Sequence, residues 1–174
     1  MPRLLWAVPI ALTLAVPAIA APTAPAFTLR LLDSRRTFDS RDALEKKVLV
    51  VRFQASWCRP CVREAPGLER LYEKYRRLGV EVVGVQVQDT AAAARRFLHA
   101  HRATYPAGLD PRLTVANRFG MKGTPYTVVI SRAGELVAQI RGESALKRLP
   151  GILDPLVDSA GGPRPRSTRP PEGR

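Results

Sequence analysis

The chain has 174 residues, of which 45% are hydrophobic and 25% charged, with a formal net charge of +13. That length suits one globular domain with a packed core plus tails, and it excludes a second module of similar size. The charge invites a nucleic-acid reading, but few aromatic residues stand near the basic clusters, so the excess reads as solvated surface with only weak attraction to anionic membranes or acidic partners.

The first twenty residues have the layout of an export signal. Arg3 supplies a positive start, Leu4 to Val16 an apolar run, and Ala18-Ile19-Ala20 a small-x-small cleavage site before Ala21. The run is interrupted by Pro9 and is shorter than the about 20 residues of a membrane span, so cleavage is expected rather than retention as an anchor. The expected organisation is a signal peptide over residues 1–20, a Pro/Ala linker over 21–26, a folded domain over 27–158 and a tail over 159–174. The tail, rich in Pro and Arg from Pro163 to Pro171, has too little apolar surface to order itself.

Phe27 to Leu31 alternates like an edge strand, and Asp33-Ser34-Arg35-Arg36 reads as a turn. Val48 to Phe53 is almost continuously apolar and β-branched, the pattern of a strand covered on both faces. A helix is expected from about Cys58 to Leu78, with Pro60 in its tolerant first turn and a kink at Pro66. Leu68, Leu71, Tyr72, Tyr75 and Leu78 fall at core spacing, and Gly79 ends it. Val80 to Val87 is a second buried strand, so the connection reads as a right-handed βαβ crossover. Asp89 or Thr90 caps an Ala-rich helix to about His101 carrying Phe97 and Leu98, and a short helix from Arg112 to Phe119 stops at Gly120. The strands Tyr126 to Ile130 and Glu135 to Ile140 form a hairpin across Arg132-Ala133-Gly134, and a proline-interrupted helix from Ser144 to Val157 closes the domain. The order is β, β, α, β, α, short α, β, β, α: an α/β fold with its paired cysteines at the C-terminal end of a central strand, where open α/β sheets place their sites.

Those cysteines, Cys58 and Cys61, are the only two in the chain. Two intervening residues let the sulfurs bond across one helical turn, so the pair can cycle between dithiol and disulfide without unfolding. Cys58 faces the unpaired N–H groups and the positive end of the helix, which favour thiolate, and is the expected nucleophile. A zinc site needs four ligands, and His99 and His101 point apart on a helix. A purely structural disulfide would close a very short loop for little entropic gain. Arg59 adds a cation beside Cys58, and Trp57 offers an apolar platform for partners or a cap on the core. Glu64 lies three residues past Cys61 on the same helical face. Its carboxylate either acts near the thiols, as a base for Cys61, or pairs on the surface with Arg63 or Arg70.

The pattern Phe53-Gln54-Ala55-Ser56-Trp57-Cys58-Arg59-Pro60-Cys61, with Glu64-Ala65-Pro66, Gly79-Val80, Val82-Val83-Gly84-Val85, Leu109-Asp110 and Gly123-Thr124-Pro125, resembles the exported TlpA/ResA-like branch of thioredoxin-fold thiol-disulfide oxidoreductases. The resemblance covers about Phe27 to Val157. It implies a thioredoxin-like fold, with a mixed central sheet (the parallel βαβ unit plus the C-terminal hairpin) flanked by helices on both faces. It also implies a cis peptide at Thr124-Pro125, a substrate-binding surface made by Trp57, Pro60, Thr124 and Pro125, and a functional role for Glu64. Two positions depart from the pattern: Gln54 stands where an aromatic is common, and Arg52 where related chains carry Asp or a neutral polar residue. Arg52 either lies beneath the cysteines, tuning them together with Arg59 and, if paired with Glu64, suppressing that residue as a base, or carries its head out along the sheet edge.

The expected function is an exported, periplasmic or extracytoplasmic, thiol-disulfide oxidoreductase that reduces protein disulfides and needs no cofactor or metal. By resemblance its substrates include apocytochrome c or other envelope proteins, and its electrons come from a membrane thiol reductase. A disulfide-forming oxidase is the alternative within the class. A copper- or haem-handling thiol module and an inert scaffold are the alternatives outside it.

Overall fold

A computed structural model describes residues 21–34, 36–43 and 46–158. The expected signal peptide and basic tail lie outside the described residues. The main sheet has five strands in the order β5-β4-β3-β6-β7: β3 is Val48–Gln54, β4 Val80–Val87, β5 Ala107–Asp110, β6 Tyr126–Ile130 and β7 Leu136–Arg141. β3, β4 and β5 run parallel, whereas β6 is antiparallel to β3 and to β7. The mixed sheet and the hairpin match the expectation.

Every residue of β3 and of β6 is buried, which explains why their sequences read as apolar runs rather than alternations. Helix α2, Arg59–Tyr75, packs Leu68, Leu71 and Tyr75 with helix α5, Ala145–Asp158, on one face of the sheet, against Val48, Val50, Val80 and Val82. The other face, Leu49, Val51, Phe53, Val83 and Val85, is covered by Phe27, Leu29, Phe97 of helix α3 (Ala91–Ala100), and Val115 and Phe119 of and beside helix α4 (Thr114–Arg118). Helices therefore flank both faces.

The observed element order adds three pieces to the expected one. Strand β1, Thr28–Arg30, pairs antiparallel with β2, Thr37–Asp39, across the expected turn, and a one-turn helix α1, Ser40–Ala43, follows. β5 extends the sheet beyond β4. Its Gly108 is required by a close crossing: a Cβ there would come within 2.5 Å of the Arg30 carbonyl oxygen, where Leu31 bridges to Gly108. Helix α2 ends sooner than expected, passing at Arg76–Leu78 into a 3-10 turn before Gly79, and Leu78 is 49% exposed rather than in the core. Pro66 lies inside α2, and Pro60 sits in its first turn.

Candidate active site

The cysteines sit where β3 gives way to α2. Cys58 is the N-cap of α2, with extended backbone (φ −80°, ψ 101°), and its sulfur accepts the Cys61 N–H at 3.2 Å. The two are joined as a disulfide, with Cα atoms 5.2 Å apart. Cys58 is 4% exposed and Cys61 fully buried, so Cys58 is the sulfur nearer to solvent. The N-cap position sets the Cys58 sulfur against the positive end of the helix.

The approach to Cys58 is tied down from β4. Asp89 accepts the Ser56 N–H at 2.7 Å, the Ser56 hydroxyl at 2.9 Å and the Thr90 N–H at 2.9 Å. The helix cap itself is Thr90, whose Oγ1 accepts the Ala93 N–H. Trp57 is 57% exposed and donates its indole N–H to the Gln88 carbonyl, so it forms surface beside the cysteines and does not cap the core. Arg59 is exposed and Pro60 half-buried.

Thr124-Pro125 is a cis peptide. Phe53 pairs with Tyr126, so the chain enters β6 through Pro125 at the end of the sheet where β3 leaves for Cys58. Gly142 donates its N–H to the Pro125 carbonyl.

Beneath α2 lies a charge pair. Arg52 is 1% exposed on the central strand, and its Nη2 donates to Glu64 Oε2 at 2.5 Å while its Nη1 donates to Thr127 Oγ1 at 3.0 Å. A central strand offers no edge along which the guanidinium can reach water, so the solvent-directed placement of Arg52 is excluded. Glu64 is likewise buried and spoken for, and the surface pairing with Arg63 or Arg70 does not occur; Arg63 pairs with Glu143 instead. The polar layer continues along the same sheet face. Gln54 donates its amide to the Tyr105 hydroxyl at 3.1 Å, and Gly84 makes room for both, since a Cβ there would lie 3.0 Å from the Tyr105 ring and 3.1 Å from the Gln54 amide nitrogen. Burial pushes Tyr105 up to about 12, partly offset by the Gln54 bond and the Arg52 charge. Gln86, in register with Gln54, is fully buried with no hydrogen-bond partner for its amide among the described residues.

The structure thus places Cys58, Cys61 and Glu64 along the start of α2 and bonds Arg52 to Glu64 from β3, with Trp57, Arg59 and Pro60 in the same loop and first turn and Thr124-Pro125 at the same end of the sheet. Sequence reasoning did not find Thr127, Tyr105, Gln86 or the role of Asp89. The signal for the polar layer was present, since Arg52 and Gln54 on β3 and Gln86 on β4 share strand parity and so one sheet face.

Residues 21–139 match the model of the AhpC/TSA family. The chain is 33% identical to the thiol:disulfide interchange protein HelX of Rhodobacter capsulatus over 141 residues, 80% of this chain and 78% of that protein. It is 29% identical to the thiol-disulfide oxidoreductase ResA of Bacillus anthracis over 134 residues, 77% of this chain and 76% of ResA. A crystal structure of a thiol:disulfide interchange protein DsbE from Chlorobium tepidum superposes with a TM-score of 0.72 at 26% identity, covering 79% of this chain and 96% of that one.

Proposed function

The chain belongs to the AhpC/TSA family and is a thiol-disulfide oxidoreductase of the ResA/HelX/DsbE type; from that premise we propose that it is exported and reduces protein disulfides through Cys58 and Cys61. The observation that carries the reading is the capping geometry: the more exposed sulfur belongs to the residue that caps α2 and accepts the Cys61 N–H.

In the reduced protein the Cys58 thiolate attacks one sulfur of a substrate disulfide. The second substrate sulfur leaves as thiolate and takes a proton from solvent. Cys61, losing its proton, attacks Cys58 and releases the second substrate thiol. The substrate has gained two electrons and two protons, and the protein is left with the Cys58–Cys61 bond. Trp57, Pro60 and Thr124 form the surface on which the substrate chain lies, backed by the buried Pro125. Arg52 and Glu64 act through the cysteines: as an ion pair they present almost no net charge to the thiols, and Glu64, held to Arg52 through Oε2, keeps Oε1 as the oxygen with which it serves Cys61 as a base. Arg59 favours the Cys58 thiolate from the solvent side.

Export is supported by the signal-like residues 1–20 ahead of a domain at 27–158, and the substrates by resemblance are apocytochrome c or other envelope proteins, with a membrane thiol reductase returning the dithiol state. The redox midpoint of the purified domain tests the direction of electron flow. A value near the thioredoxin figure of about −270 mV supports a reductant, and one near the DsbA figure of about −120 mV overturns it in favour of an oxidase. Disappearance of insulin reduction in Cys58→Ser is the expected result for the nucleophile, and its persistence would remove Cys58 from that role.

A further inference from the structure

Five exposed cations without ion-pair partners among the described residues lie on segments at the cysteine end of the sheet. Arg59 lies in the motif itself. Lys122 precedes Pro125 by three residues, and Arg141 pairs across the hairpin with Tyr126, the residue after Pro125. Arg112 and Arg118 follow β5 at the same end of the sheet, where the Gln88 N–H meets the Asp110 carbonyl and the Gln88 carbonyl meets Trp57. All five side chains are exposed, and none makes an ion pair among the described residues.

The carboxylates on the same segments are already engaged. Glu64 holds Arg52, and Glu143 holds Arg63. Asp89 accepts three bonds from Ser56 and Thr90. Asp110 accepts the N–H groups of Thr114, Val115 and Ala116 at 2.7–2.9 Å. The opposite end of β3 and β4 is mixed instead: a cleft of about 460 Å³ there is lined by Asp33, Asp39, Asp42 and Glu81 beside Lys46 and Lys47. Among the described residues four large hydrophobic side chains are exposed, and two of them, Trp57 at 57% and Val62 at 37%, flank the cysteine motif in the chain. An exposed aromatic centre with an arginine-rich rim is the composition of a protein-binding surface.

We propose that this rim selects the substrate class of the site: protein disulfides flanked by acidic residues. The inference rests on the reading of Cys58 and Cys61 as an exchanging pair and adds a preference to it. The acidic flanks supply the carboxylates that the rim lacks, while the apolar part of the segment covers Trp57 and Val62. Attraction of this kind acts chiefly on the encounter rate and fades with ionic strength.

The test uses the full chain, reduced with dithiothreitol and freed of it, in single-turnover reactions with one disulfide-looped peptide carrying Glu-Glu, Gln-Gln or Lys-Lys flanks. The neutral bis(2-hydroxyethyl) disulfide, measured in every variant, normalises the rates. The expected order is Glu over Gln over Lys, with about tenfold between the extremes at low salt, collapsing to within about twofold at 1 M salt. The double variant Lys122→Glu/Arg141→Glu should erase the order. Lys46→Glu/Arg77→Glu, which changes net charge equally at the far ends of β3 and β4, should preserve it. Equal rates for the three peptides, or the same loss in both double variants, would overturn the proposal, the second result assigning the effect to overall charge. If the chain instead sediments with vesicles rich in phosphatidylserine through Lys122 and Arg141 while showing no peptide preference, the rim faces lipid and the proposal fails. Absence of turnover with the neutral disulfide in the unmodified chain would indict the exchange reading itself, which separates the two failures.

Discussion

Removing the cation of the buried pair gives the sharpest test of the site. In Arg52→Met the Glu64 carboxylate, whose side chain is only 9% exposed, loses its one ionic partner among the described residues, and Thr127 loses the Nη1 donor. At an effective dielectric constant of about 20 two charges at 4 Å interact by about 4 kcal/mol, and breaking one partner of a buried pair costs about 3–5 kcal/mol. That is a large share of the about 5–15 kcal/mol that holds a domain together. Glu64→Leu should cost a similar amount, because the guanidinium is then the stranded charge. The double variant Arg52→Met/Glu64→Leu strands neither and should lose no more than about 2 kcal/mol, leaving a coupling of about 4 kcal/mol or more. Urea unfolding of the oxidised protein at pH 7 measures all four corners of the cycle. A loss below about 1 kcal/mol in Arg52→Met, or a double variant as unstable as the two singles summed, would refute the buried-pair account.

The same variants should move the cysteines in opposite directions. The alkylation midpoint of reduced Cys58 should rise in Arg52→Met and fall in Glu64→Leu, with the redox potential becoming more reducing and more oxidising respectively, at about 1.4 kcal/mol per pH unit or per 30 mV; no shift in either would detach the pair from the thiols. Asp110→Ala should cost about 1–2 kcal/mol by urea unfolding, since one carboxylate serves three N–H groups at the start of α4, and Asp110→Asn should recover part of it. Burial pushes both Tyr72 and Tyr105 up to about 12, helped at Tyr72 by the charge and hydrogen bond of Glu81. The unfolded chain releases these protons near pH 10 and the folded one keeps them, so stability should decline from about pH 10 upward, with Tyr105 alone accounting for about 1 kcal/mol by pH 11. Burial raises Tyr75 and Tyr126 as well, so ultraviolet titration of phenolate should show all four tyrosines ionising late, with Tyr72 and Tyr105 last, and Tyr105→Phe should lose one of those last two.

The central strand, the cysteine-bearing helix, the βαβ crossover and the closing hairpin were legible in the sequence because each is announced locally. Apolar runs, a 3.6-residue period and Gly or Pro at the boundaries report backbone preference within a few residues of where it acts. The pairing of Cys58 with Cys61 was legible for the same reason, since strand, spacing and helix start are contiguous. Strands β2 and β5 were not legible. Three and four residues carry no period, and Ala107-Gly108-Leu109-Asp110 is a strand only because β4 offers it an edge and Gly108 admits the crossing of β1. Leu78 matched the core spacing, yet the chain had already tightened into a 3-10 turn that rotated it outward. Arg52 marks the boundary most clearly: the sequence left its guanidinium either beneath the cysteines or out along the sheet edge, because the partners that bury it stand 12 and 75 residues away, at Glu64 and Thr127. Local preference is encoded in neighbouring residues, but the meeting of two buried polar groups depends on how separate elements pack, and only the tertiary structure decides that.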